Sequence, residues 1–196
     1  MDINELISRR VRTLREERGL SLATLAELSG VGRSTISLIE RGESSATATV
    51  LDKLASALGV TLASLFEQAG DGGAEPSPVS RTAEQPVWTD PVTGYLRRNL
   101  SPAAPSPIQL VEVVFPPGQR VAFETSTGDV DIRQQVWIIE GEMDITVGDG
   151  HWHLDSGDCL AMRVDRPTTF HNRGGKPARY VVALVTQANI SNRRNG

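Results

Sequence analysis

The chain has 196 residues, 39% hydrophobic and 22% charged, with twenty Lys and Arg against twenty-four Asp and Glu for a net charge of −4. That length and balance suit two small globular domains, and no apolar run approaches a membrane span. The first ten residues, MDINELISRR, lack the apolar core of a signal peptide, and a lone Cys159 excludes an internal disulfide and a thiolate metal site. A cytoplasmic setting is therefore expected, with Cys159 as a small buried hydrophobe.

Residues 3–18 read as a helix with Ile7, Val11 and Leu14 on its buried face, Asp2 as cap and Glu5 completing a capping box. Residues 1–66 hold eight of the basic and eight of the acidic residues, so the whole deficit lies in the remainder. Within that neutral part Arg9, Arg10, Arg12, Arg15 and Arg18 crowd the first helix, either as a local phosphate-binding patch or as a solvated face.

Gly19 ends this helix and Ser21 caps the next, with Thr24 one turn on. Leu22, Leu25, Ala26 and Ser29 share a face, and Gly30 closes the element. In a third helix Val31, Ile36 and Ile39 point inward, which leaves Arg33, Ser34, Thr35, Ser37 and Leu38 outward, with the lengths and polar ends that reach base edges. Arg33, Ser34, Thr35 and Ser37 are the expected base readers; Arg12, Ser21, Thr24 and Arg41 are expected to position phosphates or support the fold. Thr47 caps a fourth helix whose face is Val50, Leu51, Leu54, Ala55 and Leu58, and Leu62, Leu65 and Phe66 make a short closing helix.

The run RTLREERGLSL, GVGRSTISLIERGESS and LDKLASALGVTLASLF resembles the helix-turn-helix of lambda-repressor-like (XRE-type) regulators over residues 11–66. The resemblance implies that Glu40 pairs with an arginine of the first helix and contacts no DNA. Two positions depart from it. Leu22 replaces a Gln that touches phosphate in many relatives, and Gly32 replaces the Ser that usually caps the recognition helix.

At 68–85, QAGDGGAEPSPVSRTAEQ, the helical period gives way to Gly, Pro, Ser and acids, as in a flexible linker. Beyond Pro86 short alternating apolar runs follow, from VWT through RQQVWIIEGEMDITVG to ARYVVALV, the pattern of an antiparallel sandwich or barrel. The turn residues at 141–142, 148–150 and 156–158 are expected to mark successive hairpins. PPG at 116–118, EGEM at 140–143, SGD at 156–158 and PTTFHN at 167–172 resemble the cupin framework, a double-stranded β-helix of jelly-roll type, over 87–185. The expected architecture is thus an all-α helix-turn-helix domain (1–67), a linker (68–85), an all-β cupin domain for sensing and dimerisation (86–188) and a polar tail (189–196).

In metal-dependent cupins the first motif supplies His-x-His and Glu and the second one more His. On this sequence those places fall on Glu124, Ser126, Gln134 and Thr168, a set without imidazole or thiolate, so no metal, cofactor or oxidative enzyme activity is expected. His151 and His153 alternate on one side of a strand away from that pocket, and His171 is out of parity with Thr168. Parity adds Val136, Ile138 and Phe170 to Glu124, Ser126, Gln134 and Thr168 as the walls of a metal-free pocket, with Glu124 as partner for a ligand cation. Alternatively these groups satisfy one another and the barrel only dimerises; an enzyme fused to a DNA-binding domain is the other competing class. The combined reading is a homodimeric, sequence-specific regulator of double-stranded, palindromic operator DNA with a small-molecule effector and no membrane partner.

Overall fold

The computed structural model describes residues 2–67, 76–124 and 130–188. Four helices, α1 (Ile3–Glu17), α2 (Leu22–Ser29), α3 (Arg33–Glu40) and α4 (Ala48–Ala57), and a 3-10 turn (Leu62–Phe66) build the N-terminal unit. Their apolar faces meet in one core in which Val11, Leu25, Ile36, Leu51, Leu54, Leu58 and Leu65 are fully buried. Ser21 accepts the Thr24 amide at 3.0 Å and Thr47 accepts that of Val50 at 3.3 Å, while Gly30 turns the chain out of α2 at φ 66°. The capping box expected at α1 is not formed: Asp2 makes no side-chain cap, and Glu5 pairs with Arg9 at 2.9 Å. Arg15 forks onto Glu40 at 2.7 and 2.9 Å, tying α1 to α3 through a mostly buried bidentate pair.

Ten antiparallel strands follow: β1 (Val87–Thr89), β2 (Leu96–Asn99), β3 (Ile108–Phe115), β4 (Arg120–Phe123), β5 (Val130–Glu140), β6 (Glu142–Val147), β7 (Gly150–Asp155), β8 (Cys159–Arg163), β9 (Thr168–His171) and β10 (Ala178–Ala188). They form a six-stranded sheet, β1-β2-β3-β10-β5-β8, facing a four-stranded one, β4-β9-β6-β7, in a jelly roll. Of the three expected hairpins only that at 148–150 joins neighbouring strands, β6 and β7. The turns at 141–142 and 156–158 instead carry the chain from one sheet to the other. The crossing at Gly141 demands glycine, because its φ is 79° and a Cβ would lie 2.9 Å from the Ala178 Cα and the Pro177 carbonyl.

Between Glu67 and the barrel, the described residues 76–85 do not stand clear of it: Ser77 accepts the Ala104 amide at 3.2 Å, and Thr82–Glu84 form a 3-10 turn. More consequentially, the helical unit is seated on the barrel. Asp90, just after β1, is buried and accepts the Ala48 amide at 2.7 Å, so a barrel carboxylate occupies the N-terminus of α4 where the helix dipole and unpaired amides favour an anion. Its other oxygen accepts Val92 N, Thr93 N and Thr93 Oγ1 at 3.2, 2.7 and 2.7 Å, which holds the carboxylate in place. Phe66 then begins a row of rings at centroid spacings of 5.6, 5.7 and 5.4 Å through Trp88 and Tyr95 to Phe115. Gln109 of β3 completes the seam, bonded to Thr61, Ser64 and Glu67.

Asp90→Ala should lower stability by about 2 kcal/mol, since it strips a buried helix end of its acceptor. It should also split one calorimetric unfolding transition into two as the units uncouple.

Candidate functional site

On α3, Arg33, Ser34 and Leu38 are exposed and Thr35 and Ser37 half-buried, while Ile36 and Ile39 hold the helix to the core. Gly32 precedes it without a side-chain cap, leaving the first turn of the helix open. The Ser37 hydroxyl accepts from Arg41 Nη1 at 2.8 Å, and Arg41 forks onto Glu43 at 2.9 Å, which occupies the Arg41 guanidinium while it stays exposed. Ser21 and Thr24 share a hydroxyl contact of 2.9 Å at the start of α2. Leu22, in place of the phosphate-binding Gln, is packed against the core. The arginines of α1 are engaged within the fold: Arg9 with Glu5, Arg12 with Glu16, Arg15 with Glu40, Arg18 with the Leu14 carbonyl, and Arg10 with the Ser64 carbonyl and Glu67. Arg12 and Glu16 remain more than half exposed, so a phosphate can displace that partner from Arg12.

Where the helical unit meets the barrel, a cavity of about 100 Å³ has walls from both. From the helical side come Asp52 and Ser56 of α4 and the segment from Val60 to Ala63; from the barrel come Tyr95, Arg97, Gln134 and Thr168 over an apolar floor that includes Phe115, Phe123, Phe170, Tyr180, Val182 and Leu184. The rings of Phe123, Phe170 and Tyr180 continue the aromatic row, with Phe170 stacked on Tyr180 at 6.0 Å. The Arg97 guanidinium lies 5.6 Å over the Phe66 ring, a cation–π contact between the two units. Burial pushes the Asp52 carboxyl up to about 7, against the positive fields of Arg97 and Lys53 and with that of Glu124. The same burial pulls Arg97 down and raises the Tyr95 and Tyr180 phenols.

Several pocket residues expected from the sequence are placed elsewhere. Gln134, Thr168 and Phe170 line the cavity. Glu124 does not: it is 73% exposed and pairs with Lys53 of α4 at 3.1 Å, so the cavity carboxylate is Asp52. Val136 and Ile138 share the inward parity of Gln134 but are fully buried in the core beyond the cavity. Ser126 lies outside the described residues. Asp52 and Arg97 carried no signal in the sequence, since one occupies a polar position of an amphipathic helix and the other a charged strand run, RRN. Only the docking of α4 onto the barrel brings them together.

Other candidate groups are on the surface. His151 and His153 face outward on β7, bonded to Thr146 at 3.0 Å and Asp144 at 2.8 Å, and the Asp144 carboxylate raises the His153 pKa. Glu142, His153 and Asp155 approach one another there, partly or wholly exposed. His171 accepts from Arg173, and Arg133 and Arg163 both pair with Asp131. Cys159 is exposed, not buried, because β8 is an edge strand.

The helix-turn-helix family HTH_3 matches residues 11–65. The chain is 25% identical over 185 residues to the Escherichia coli K12 HTH-type transcriptional regulator SutR, covering 94% of this chain and 96% of that one. Over 70 residues it is 39% identical to the control protein C.SmaI of Serratia marcescens, covering 36% of this chain and 83% of that one. In fold it is similar to an HTH_3 family transcriptional regulator from Vibrio cholerae, with a TM-score of 0.72 at 24% identity over 93% of this chain and 96% of that one. No helix among the described residues is long and apolar enough to cross a membrane. With α3 held to the core by Ile36 and Ile39 and its other side turned outward, these likenesses are those of one group: the chain belongs to the helix-turn-helix family of DNA-binding transcriptional regulators.

Proposed function

We propose that the protein binds a two-fold operator as a homodimer in the cytoplasm, and that a small molecule entering the interdomain cavity alters its hold on DNA. The observation that carries the effector reading is that α4 and the barrel both wall the cavity, so any occupant touches the DNA-binding unit and the sensor at once. Among the described residues no histidine or cysteine lines this cavity and Asp52 is its one carboxylate, a set suited to binding and not to metal chemistry or enzymatic turnover.

Arg33, Ser34, Thr35 and Ser37 read bases in this proposal, with Leu38 against a thymine methyl, while Arg12, Ser21 and Thr24 hold phosphates. One such helix spans few base pairs, so two copies a helical turn apart are required for useful affinity. The outer face of the six-stranded sheet offers the two-fold contact. Leu110, Ala183 and Gln135 lie in one cross-strand row, and Val181, Trp137 and Cys159 in the next. Ile108, Leu110 and Trp137 are 47, 37 and 50% exposed, more apolar surface in one place than a free sheet face usually presents. Charges of both signs flank it, Arg133, Asp131 and Arg163 on one side and Arg179, Glu112 and Glu140 on the other, which suits a patch that must match itself.

In operator titrations with the full chain, Arg33→Ala and Ser34→Ala should each cost about 1–3 kcal/mol on the preferred sequence and relax discrimination at one base pair. Equal binding of operator and mutated operators by both variants and the parent would remove α3 as the reading helix. Val181→Asp should give a folded monomer by sedimentation, with operator affinity reduced at least about tenfold. Seating of the two units should also depend on pH through Asp52, whose charged neighbours are Arg97 and Glu124 across the seam and Lys53 on its own helix. Its folded pKa lies above the unfolded value, so the neutral acid stabilises the docked state, and that stability is lost as pH rises through about 7. Asp52→Asn should therefore be more stable than the parent near about pH 8, with the excess vanishing toward about pH 4 in urea titrations.

A further inference from the structure

We propose that the interdomain cavity recognises a small zwitterion, an amino acid or near analogue, with its carboxylate on the Arg97 guanidinium and its ammonium on the Asp52 carboxylate. This rests on the effector reading above and narrows it to a chemical class.

Asp52 comes from α4 and Arg97 from β2, and both line the same cavity. Among the described residues no salt bridge joins them, so two opposite charges face a shared space without touching. Three other polar walls, Thr61, Gln134 and Thr168, are already engaged. The Thr168 hydroxyl donates to the Arg166 carbonyl at 3.1 Å, Thr61 bonds Ser64 and Gln109 at 2.9 Å, and the Gln134 amide points to the Met162 sulfur at 3.4 Å.

A simple anion would pair with Arg97 alone and leave Asp52 protonated and unused, and a simple cation at Asp52 would lie against the guanidinium, so neither engages both groups. A molecule carrying both charges in the reverse order pairs with both. Because burial already holds the Asp52 carboxyl near neutrality, an arriving ammonium ionises it at small cost, the proton leaving to solvent. The aromatic floor of Phe115, Phe170 and Tyr180 takes an apolar side chain, and about 100 Å³ limits that side chain to a few carbons. Such a ligand ties the helical unit to the barrel by two ion pairs at once.

The test uses thermal unfolding and calorimetry of the full chain with alanine, serine and valine. Each is set against its two half-charged counterparts: ethylamine and propionate, ethanolamine and 3-hydroxypropionate, isobutylamine and isovalerate. At least one amino acid should raise the melting temperature while its halves do not. Asp52→Asn and Arg97→Gln should each weaken binding by about tenfold or more, and Arg173→Ala, on the barrel surface outside the cavity, should leave it unchanged. A half-molecule that binds as well as its parent, or binding indifferent to Asp52 and Arg97, overturns the zwitterion; if Val182→Phe, which fills the cavity, then abolishes that binding, an effector cavity survives. No shift with any amino acid overturns the proposal, and if a small-molecule cell extract also leaves the melting temperature unmoved, the effector reading falls with it.

Discussion

Asp90 belongs to the barrel by sequence and to a helix by contact. Its carboxylate takes the Ala48 amide at the start of α4 while three groups of its own turn hold the other oxygen, so the end of a helix in the helix-turn-helix unit is completed by the barrel. A buried amide left without an acceptor is costly, and although Thr47 caps Val50 within the helical unit, the Ala48 amide is satisfied only when the two units are seated together. Phe66 meets Trp88 across the seam at a tilt, and from there an unbroken row of rings runs to the cavity floor. The placement of α4, the closing of the barrel mouth and the existence of a shared cavity all follow from that seam.

A cavity with walls from two domains behaves differently from one enclosed in a barrel. An occupant of a closed barrel must act through strands and linker; an occupant of this cavity contacts Asp52 and Ser56 directly, one helix removed from the reading helix. A ligand with different affinity for the seated and unseated arrangements would therefore act on α4 directly, with no long pathway to invoke. The seam is also electrostatically poised, because Asp52, Arg97, Lys53 and Glu124 all lie at it and only Lys53 and Glu124 are paired by a salt bridge.

The six-stranded sheet is apolar on both faces. Its inner residues, such as Val111, Val113, Val182 and Leu184, make the core, and its outer rows are Ile108, Leu110, Val181, Ala183, Val185 and Trp137. Near-continuous apolar runs such as VVALV are what strands covered on both faces look like, whereas a strand with one wet face alternates. A two-fold contact through this face would bring two helical units onto one DNA duplex, which is the geometric requirement of paired half-sites.

The local elements were legible in the sequence because their signals are local. Capping hydroxyls at Ser21 and Thr47, the left-handed Gly30, the apolar faces of four helices and the alternating runs beyond Pro86 each fix structure within a few residues, so the helix-turn-helix and an antiparallel sandwich or barrel followed from them, while the jelly-roll type came from the resemblance to the cupin framework. Signals that depend on partners distant in the chain were not legible. The turns at 141–142 and 156–158 have hairpin composition, but whether a turn joins neighbours or crosses between sheets is decided by which strands pair. Asp2 and Glu5 have capping-box spacing, but Glu5 found Arg9. Counting from motif glycines put Glu124 in the pocket, and docking put Asp52 there and set Glu124 against Lys53. The sequence by itself determined a helical unit, a strand-rich unit and which side chains α3 turns outward, because hydrophobic periodicity and capping act over single turns. The tertiary structure alone decided how the units meet and what the cavity contains, because burial of Asp52, Arg97 and the Ala48 amide exists only once residues tens of positions apart are brought into contact.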